Sequence, residues 1–186
     1  MNSPVLWYVA RGSGVVAYLL LTLSVVLGIA LSRRWHRPRW PRFVVHEMHR
    51  WATLVFYCFL GIHILTVAID PYVHFSLTDV LVPFASNYRT FWLGLGILGA
   101  ELALAIGASV WVREHIGYRA WHVLHALSYP VFLASLAHGL GTGTDTGTRW
   151  MTVIYVASAI AVLGATIWRL LPWPRLSFAT SRVTSR

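Results

Sequence analysis

Four of the nine histidines in this 186-residue chain lie inside long apolar stretches. His49 and His63 share one stretch, and His125 and His138 share another. The separations are fourteen and thirteen residues, or about 20 Å each at a helical rise of 1.5 Å per residue. Ionisable side chains are expensive inside a bilayer and usually serve a function there. Neutral imidazole binds iron through a ring nitrogen and is a standard axial ligand of heme. Two parallel helices with histidines at matching depths can hold two stacked hemes. His49 then stands opposite His125, and His63 opposite His138. The plainer alternative is that these are buried histidines bonded to backbone. It explains one such residue better than four at matched depths.

The elements that must position these rings follow from composition. The chain is 57% hydrophobic and 11% charged, too little charge to cover a soluble domain of this size. Its formal charge is +9, carried by fifteen arginines and no lysine. The arginines cluster in short connections between apolar runs, which is a membrane pattern rather than a nucleic-acid one. Five runs reach the roughly 20 residues needed to span the hydrocarbon. They cover about Leu6 to Leu31, Arg42 to Ile69, Thr90 to Val112, Arg119 to Leu140, and Arg149 to Leu171. Backbone groups must pair internally in lipid, so each is a helix. The fold expected is all-α: an integral membrane bundle of five transmembrane helices around two stacked b hemes. One domain occupies residues 1–171, and a basic cytoplasmic tail follows at 172–186.

Tryptophans such as Trp7, Trp40, Trp92, Trp111 and Trp150 stand near the ends of the spans, as in interfacial belts. Arg33, Arg34, Arg37, Arg39, Arg42, Arg113, Arg119, Arg175, Arg182 and Arg186 fall on one side of a five-span protein. That side is expected to be cytoplasmic, with the N-terminus outside and the C-terminus inside a plasma or inner membrane. The first apolar run is too long for a signal peptide and precedes its positive charge, so it is read as a retained span. Ser76 to Phe84 is expected to lie in the outer interface, because Leu77, Val80, Leu81 and Phe84 recur at helical spacing.

Smaller features carry separate expectations. Fourteen residues fall about 40° short of four helical turns, but thirteen fall about 140° short. A straight fourth helix would therefore not present His125 and His138 on one face. Pro130 lies between them and interrupts the hydrogen-bond ladder, so an irregular helix is expected there. His46 and His122 precede the inner ligands by one turn; they are read as capping an interface, the alternatives being a substitute ligand or a contact with heme propionates. His36 and His115 are loop residues. His74 is external. Glu101 sits mid-span as a proton relay or as a neutral hydrogen-bond partner. Cys58 is read as a buried thiol packing as a small hydrophobe. The lone cysteine also rules out Cys-x-x-Cys-His heme attachment. The Gly141–Gly147 stretch lacks the spacing of a dinucleotide loop and is read as a turn.

The His49-Arg50 step with His63, and His125 with His138, resembles the ferric reductase-like transmembrane domain shared by NADPH oxidases and metalloreductases. The likeness covers about Trp7 to Leu171. It implies that the four histidines are axial ligands of an inner and an outer b heme. It also implies that Arg50 meets a heme propionate. The Ala10-Arg11-Gly12-Ser13-Gly14 opening is similar to a family motif whose arginine lies near the outer heme, which implies a catalytic role for Arg11 in reducing the acceptor. A snorkelling arginine is the bland reading. The chain departs from the oxidases in lacking one preceding helix. It also has Ile64, Leu65, Thr66 and Val67 where they carry a further histidine, which puts oxygen reduction in doubt. No flavin or nicotinamide domain is expected in this chain.

The resulting expectation is an oxidoreductase or its heme subunit. A separate cytoplasmic flavin reductase or other donor would supply electrons. An outer-face acceptor, whether ferric iron, oxygen or a periplasmic protein, would take them. The partners are otherwise the lipid bilayer, with no nucleic acid. The alternatives are a histidine-lined proton or metal transporter without heme, and a heme-binding sensor or assembly subunit without turnover.

Overall fold

The computed structural model describes residues 4–33, 40–71 and 75–172. His36, His74 and the tail from residue 173 lie outside the described residues. The elements are α1 (Pro4–Ser32), α2 (Arg42–Ile69), α3 (Leu77–Leu81), α4 (Thr90–Ile116), α5 (Tyr118–Ala126), α6 (Ser128–Thr142) and α7 (Arg149–Leu170). Five units are long and apolar enough to cross a membrane: α1, α2, α4, α5–α6 together, and α7. The main packing pairs are α1 with α2 and α4 with α6, and α7 closes on α1.

The bounds match the sequence expectation to within two residues, except that α4 runs past Val112 to Ile116. The apolar signal ends at Arg113 because three polar residues follow. The backbone nonetheless stays helical, and Arg113 and His115 in the last turn suit the negative end of the helix dipole. Gly117, with φ +80°, then ends α4 in a conformation that side chains disfavour.

The expected irregularity near Pro130 is present, and it falls at Leu127. Pro130 has no N–H to donate to the carbonyl of Ala126, and its ring crowds that oxygen. The chain tightens instead. The Leu127 N–H donates to Leu124 O at 3.0 Å, and regular bonding resumes with Val131 N–H to Leu127 O at 3.0 Å. One span is thereby divided into α5 and α6, and the turn of the second half is reset relative to the first.

Between the helices lies an aromatic core. Tyr18 stacks on Phe132 with centroids 5.9 Å apart and meets Tyr155 edge-on at 5.6 Å. The outer faces are also apolar: Leu23, Leu54, Leu65, Leu104, Leu133 and Leu163 are exposed. In water such a surface would drive association, whereas lipid tails solvate it. Cys58 belongs to this outer face. It was expected to be buried, but it is exposed. An apolar neighbourhood in sequence does not distinguish a core-facing from a lipid-facing position on a membrane helix.

The short α3 occupies the segment expected at the interface. Ser76 caps it in a reciprocal box: its hydroxyl accepts from Asp79 N–H at 3.2 Å, and its own N–H donates to Asp79 Oδ2 at 2.9 Å. Hydrogen bonds from the Ser76 hydroxyl and amide hold the Asp79 carboxyl below its ordinary range. Among the polar links between spans, the Tyr57 hydroxyl on α2 donates to Ala103 O on α4 at 2.6 Å. Tyr57→Phe should lower stability by about 0.5–1.5 kcal/mol, read as a fall in the unfolding midpoint in detergent. An unchanged midpoint would mean that this bond adds nothing.

Candidate functional site

The four span histidines form two facing pairs. The His49 and His125 ring centroids are 6.1 Å apart, with planes at 69°. The His63 and His138 centroids are 6.3 Å apart, with planes at 80°. A metal–imidazole bond is about 2.0–2.1 Å, so two such bonds plus two ring radii span about 6 Å. Each pair therefore has the separation of two rings sharing one metal ion. Among the described residues, no cluster of three or more His, Cys, Asp or Glu could hold a metal. Two protein nitrogens per centre leave the other positions of a six-coordinate metal to a ligand that brings its own donors. A planar tetradentate macrocycle would supply four, and each pair has the ring separation that two axial imidazoles on one such group would need.

Three of the rings are held by one repeated device. His63 Nδ1 donates to Ala10 O on α1 at 2.7 Å. His49 Nδ1 donates to Ser24 O on α1 at 2.9 Å. His138 Nδ1 donates to Trp92 O on α4 at 3.0 Å. Four residues beyond each acceptor stands a glycine: Gly14, Gly28 and Gly96. A Cβ on Gly14 would lie 2.9 Å from His63 Nδ1, and one on Gly28 would lie 3.4 Å from His49 Cε1. A Cβ on Gly96 would overlap the His138 ring. In a helix the residue at i+4 stands one turn above carbonyl i, so its missing side chain is the gap through which the imidazole enters. With the proton fixed on Nδ1, the Nε2 lone pair is left to bind metal.

The His49 ring carries a further brace. The Ser24 hydroxyl lies 3.3 Å from His49 Nδ1 and 2.7 Å from the Thr53 hydroxyl, and the latter donates to His49 O at 2.8 Å. The sequence reading missed Ala10, Ser24, Trp92 and the three glycines. One signal was available: Ala10-x-x-x-Gly14 and Ser24-x-x-x-Gly28 repeat at fourteen residues, the same separation as His49 and His63.

Phe56 lies midway between His49 and His63, Val131 midway between His125 and His138, and Leu21 midway between Gly14 and Gly28; all three are buried. They line a cavity of about 390 Å³ that also reaches His63, His138 and Glu101. Arg11, Tyr88, Thr144 and Asp145 line it as well. Arg11 forms an ion pair with Asp145, and its guanidinium lies 4.7 Å from the Trp7 ring centre. Asp145 belongs to the turn after α6 that the sequence reading set aside. That turn is tied down by Thr146 Oγ1 donating to Gly139 O at 3.0 Å. Arg89 enters α4 in a left-handed conformation, φ 43°, and its guanidinium donates to Gly141 O. The end of α6 is thus fastened beside Trp92.

The remaining candidates make their polar contacts away from the facing rings. Arg50 is exposed, lies 3.5 Å from Glu47 and sits near the Trp51 ring. His46 lies 3.7 Å from Glu47. His122 takes the carbonyl of Tyr118 at 2.9 Å. None of these contacts reaches the facing rings.

The profile of the family described as "Ferric reductase like transmembrane component" matches residues 12–136 of this chain. That span covers 125 of the 186 residues and includes three of the four facing histidines. His138 lies two residues beyond it. Neither a curated protein nor a solved structure matches the chain.

The carbonyl-and-glycine seats can be tested by a graded pair. Gly96→Ala places a methyl in the His138 ring and should abolish binding at the His63–His138 pair. Gly28→Ala meets its ring at ordinary contact distance and should leave both pairs competent. Bound chromophore per chain distinguishes the two. Equal behaviour of the variants would contradict the clearance argument.

Proposed function

The chain belongs to the ferric reductase like transmembrane component family, and on that premise we propose that it carries electrons across a membrane through two bis-histidine b hemes. The single observation behind this reading is the pair of imidazole couples at 6.1 and 6.3 Å, stacked along one bundle. When bound, the hemes supply one-electron carriers inside a medium that otherwise admits no charge. The chain's own residues do the rest.

His49 and His125 grip the group at the arginine-rich end, taken as cytoplasmic. His63 and His138 grip the outer one. Carbonyls of Ala10, Ser24 and Trp92 orient three rings and raise their basicity as ligands. Leu21, Phe56 and Val131 keep the space between the pairs free of water. Arg50 is assigned to a propionate at the inner end, where its reach would replace the Glu47 contact. Arg11 is assigned to the acceptor at the outer end, with Asp145 setting its position.

A separate donor, such as a cytoplasmic flavin reductase, feeds the inner end. An outer-face acceptor, whether ferric iron, oxygen or a periplasmic protein, drains the outer one. The protein is then an oxidoreductase or the heme subunit of one. A reduced-minus-oxidised spectrum with heme quantification tests this. The result expected is two b hemes per chain, falling to one when His63 and His138 are both replaced by Ala. A colourless purified protein would overturn the reading in favour of a histidine-lined transporter.

A further inference from the structure

The four ligands are not held alike. His49, His63 and His138 each donate from Nδ1 to a carbonyl of a neighbouring helix and enter over a glycine. His125 has neither support. Its Nδ1 is buried and has no hydrogen-bond partner among the described residues. On α4, fourteen residues beyond the Trp92 and Gly96 step, stand Ile106 and Val110. A valine occupies the glycine position there, and the Ile106 carbonyl accepts instead from the Ser109 hydroxyl at 2.6 Å. What touches the His125 ring is an aromatic face: Trp121 lies 4.9 Å away, at 27°.

The element that carries His125 is also weakly embedded. None of the nine residues of α5 is buried, and its main packing is against α4. Gly117 bounds it at one end and the Leu127 joint at the other. The first residue has a backbone that turns freely. The second is where the helical ladder is already interrupted. A segment with few buried contacts and broken ladders at both ends opens at lower free energy than the rest of a fold.

We propose that His125 is the releasable ligand of the four, and that movement of α5 about the Leu127 joint exposes the metal held by His49 to a small neutral ligand of the carbon monoxide type. The proposal rests on the two-heme reading above. The event is a ligand substitution. The iron–nitrogen bond to His125 breaks and a bond to the incoming carbon forms, with no change of electrons or protons. The ring withdraws with α5, and Trp121 goes with it as its stacking partner. The His63–His138 pair, seated on two carbonyls, keeps both ligands.

The test uses heme-loaded full-length protein, quantified for heme, reduced with dithionite and titrated with carbon monoxide. Wild type should lose the six-coordinate bis-imidazole spectrum from one of its two hemes. His125→Ala should retain both hemes, because His49 remains seated. It should take up carbon monoxide at the same single heme, at least about tenfold faster, since no ligand must first leave. His49→Ala should retain only the outer heme. Binding at neither heme or at both in wild type would overturn the proposal, as would equal heme loss from His125→Ala and His49→Ala. Absence of heme from wild type would instead overturn the function proposed above.

Discussion

A helix carbonyl inside a membrane is already committed to its own ladder, and the side chain one turn above it normally blocks a second donor. The seats on α1 and α4 answer this constraint. Glycine at 14 and 96 lets an imidazole from the neighbouring span reach the carbonyls of Ala10 and Trp92, and Gly28 leaves looser clearance over Ser24. In lipid no water competes for the proton on Nδ1, so each ring is fixed in tautomer and in direction. The facing of the rings, and so the space between them, depends on that bond.

The rest of the bundle can be understood as the support for those seats. α1 carries two of them, fourteen residues apart, and so packs along the whole of α2. α4 carries one and is pinned to the end of α6 through Arg89 and Gly141. The division of the fourth span at Leu127 lets two histidines thirteen residues apart address the same side. Leu21, Phe56 and Val131 line the cavity that reaches the His63–His138 pair, while leucines on the outside meet lipid. Arg11 and Asp145 also line the cavity, and there a cation and an anion neutralise one another at the turn after α6.

Much of this was legible in the sequence. Hydropathy located the five spans, histidine spacing located the two pairs, and Pro130 foretold the break in the fourth span. What was not legible depended on which face of a helix meets a neighbour. Hydropathy has no preferred face when lipid and core are equally apolar, so Cys58 was placed inside although it lies outside. The glycine seats were hidden for a related reason: small residues in membrane helices have many uses. Only the matching interval of fourteen on α1 and α2 marked them out. The Arg11–Asp145 pair joins residues 134 positions apart, and no local pattern announces such a contact.

The most direct test of the account is electron paramagnetic resonance of the oxidised, heme-loaded protein. On a bound iron, imidazole planes at 69° and 80° would leave the orbitals nearly degenerate and give strongly anisotropic low-spin signals. Two such signals of equal weight are the expected result. A spectrum dominated by high-spin iron, or low-spin signals of the type given by parallel rings, would contradict it.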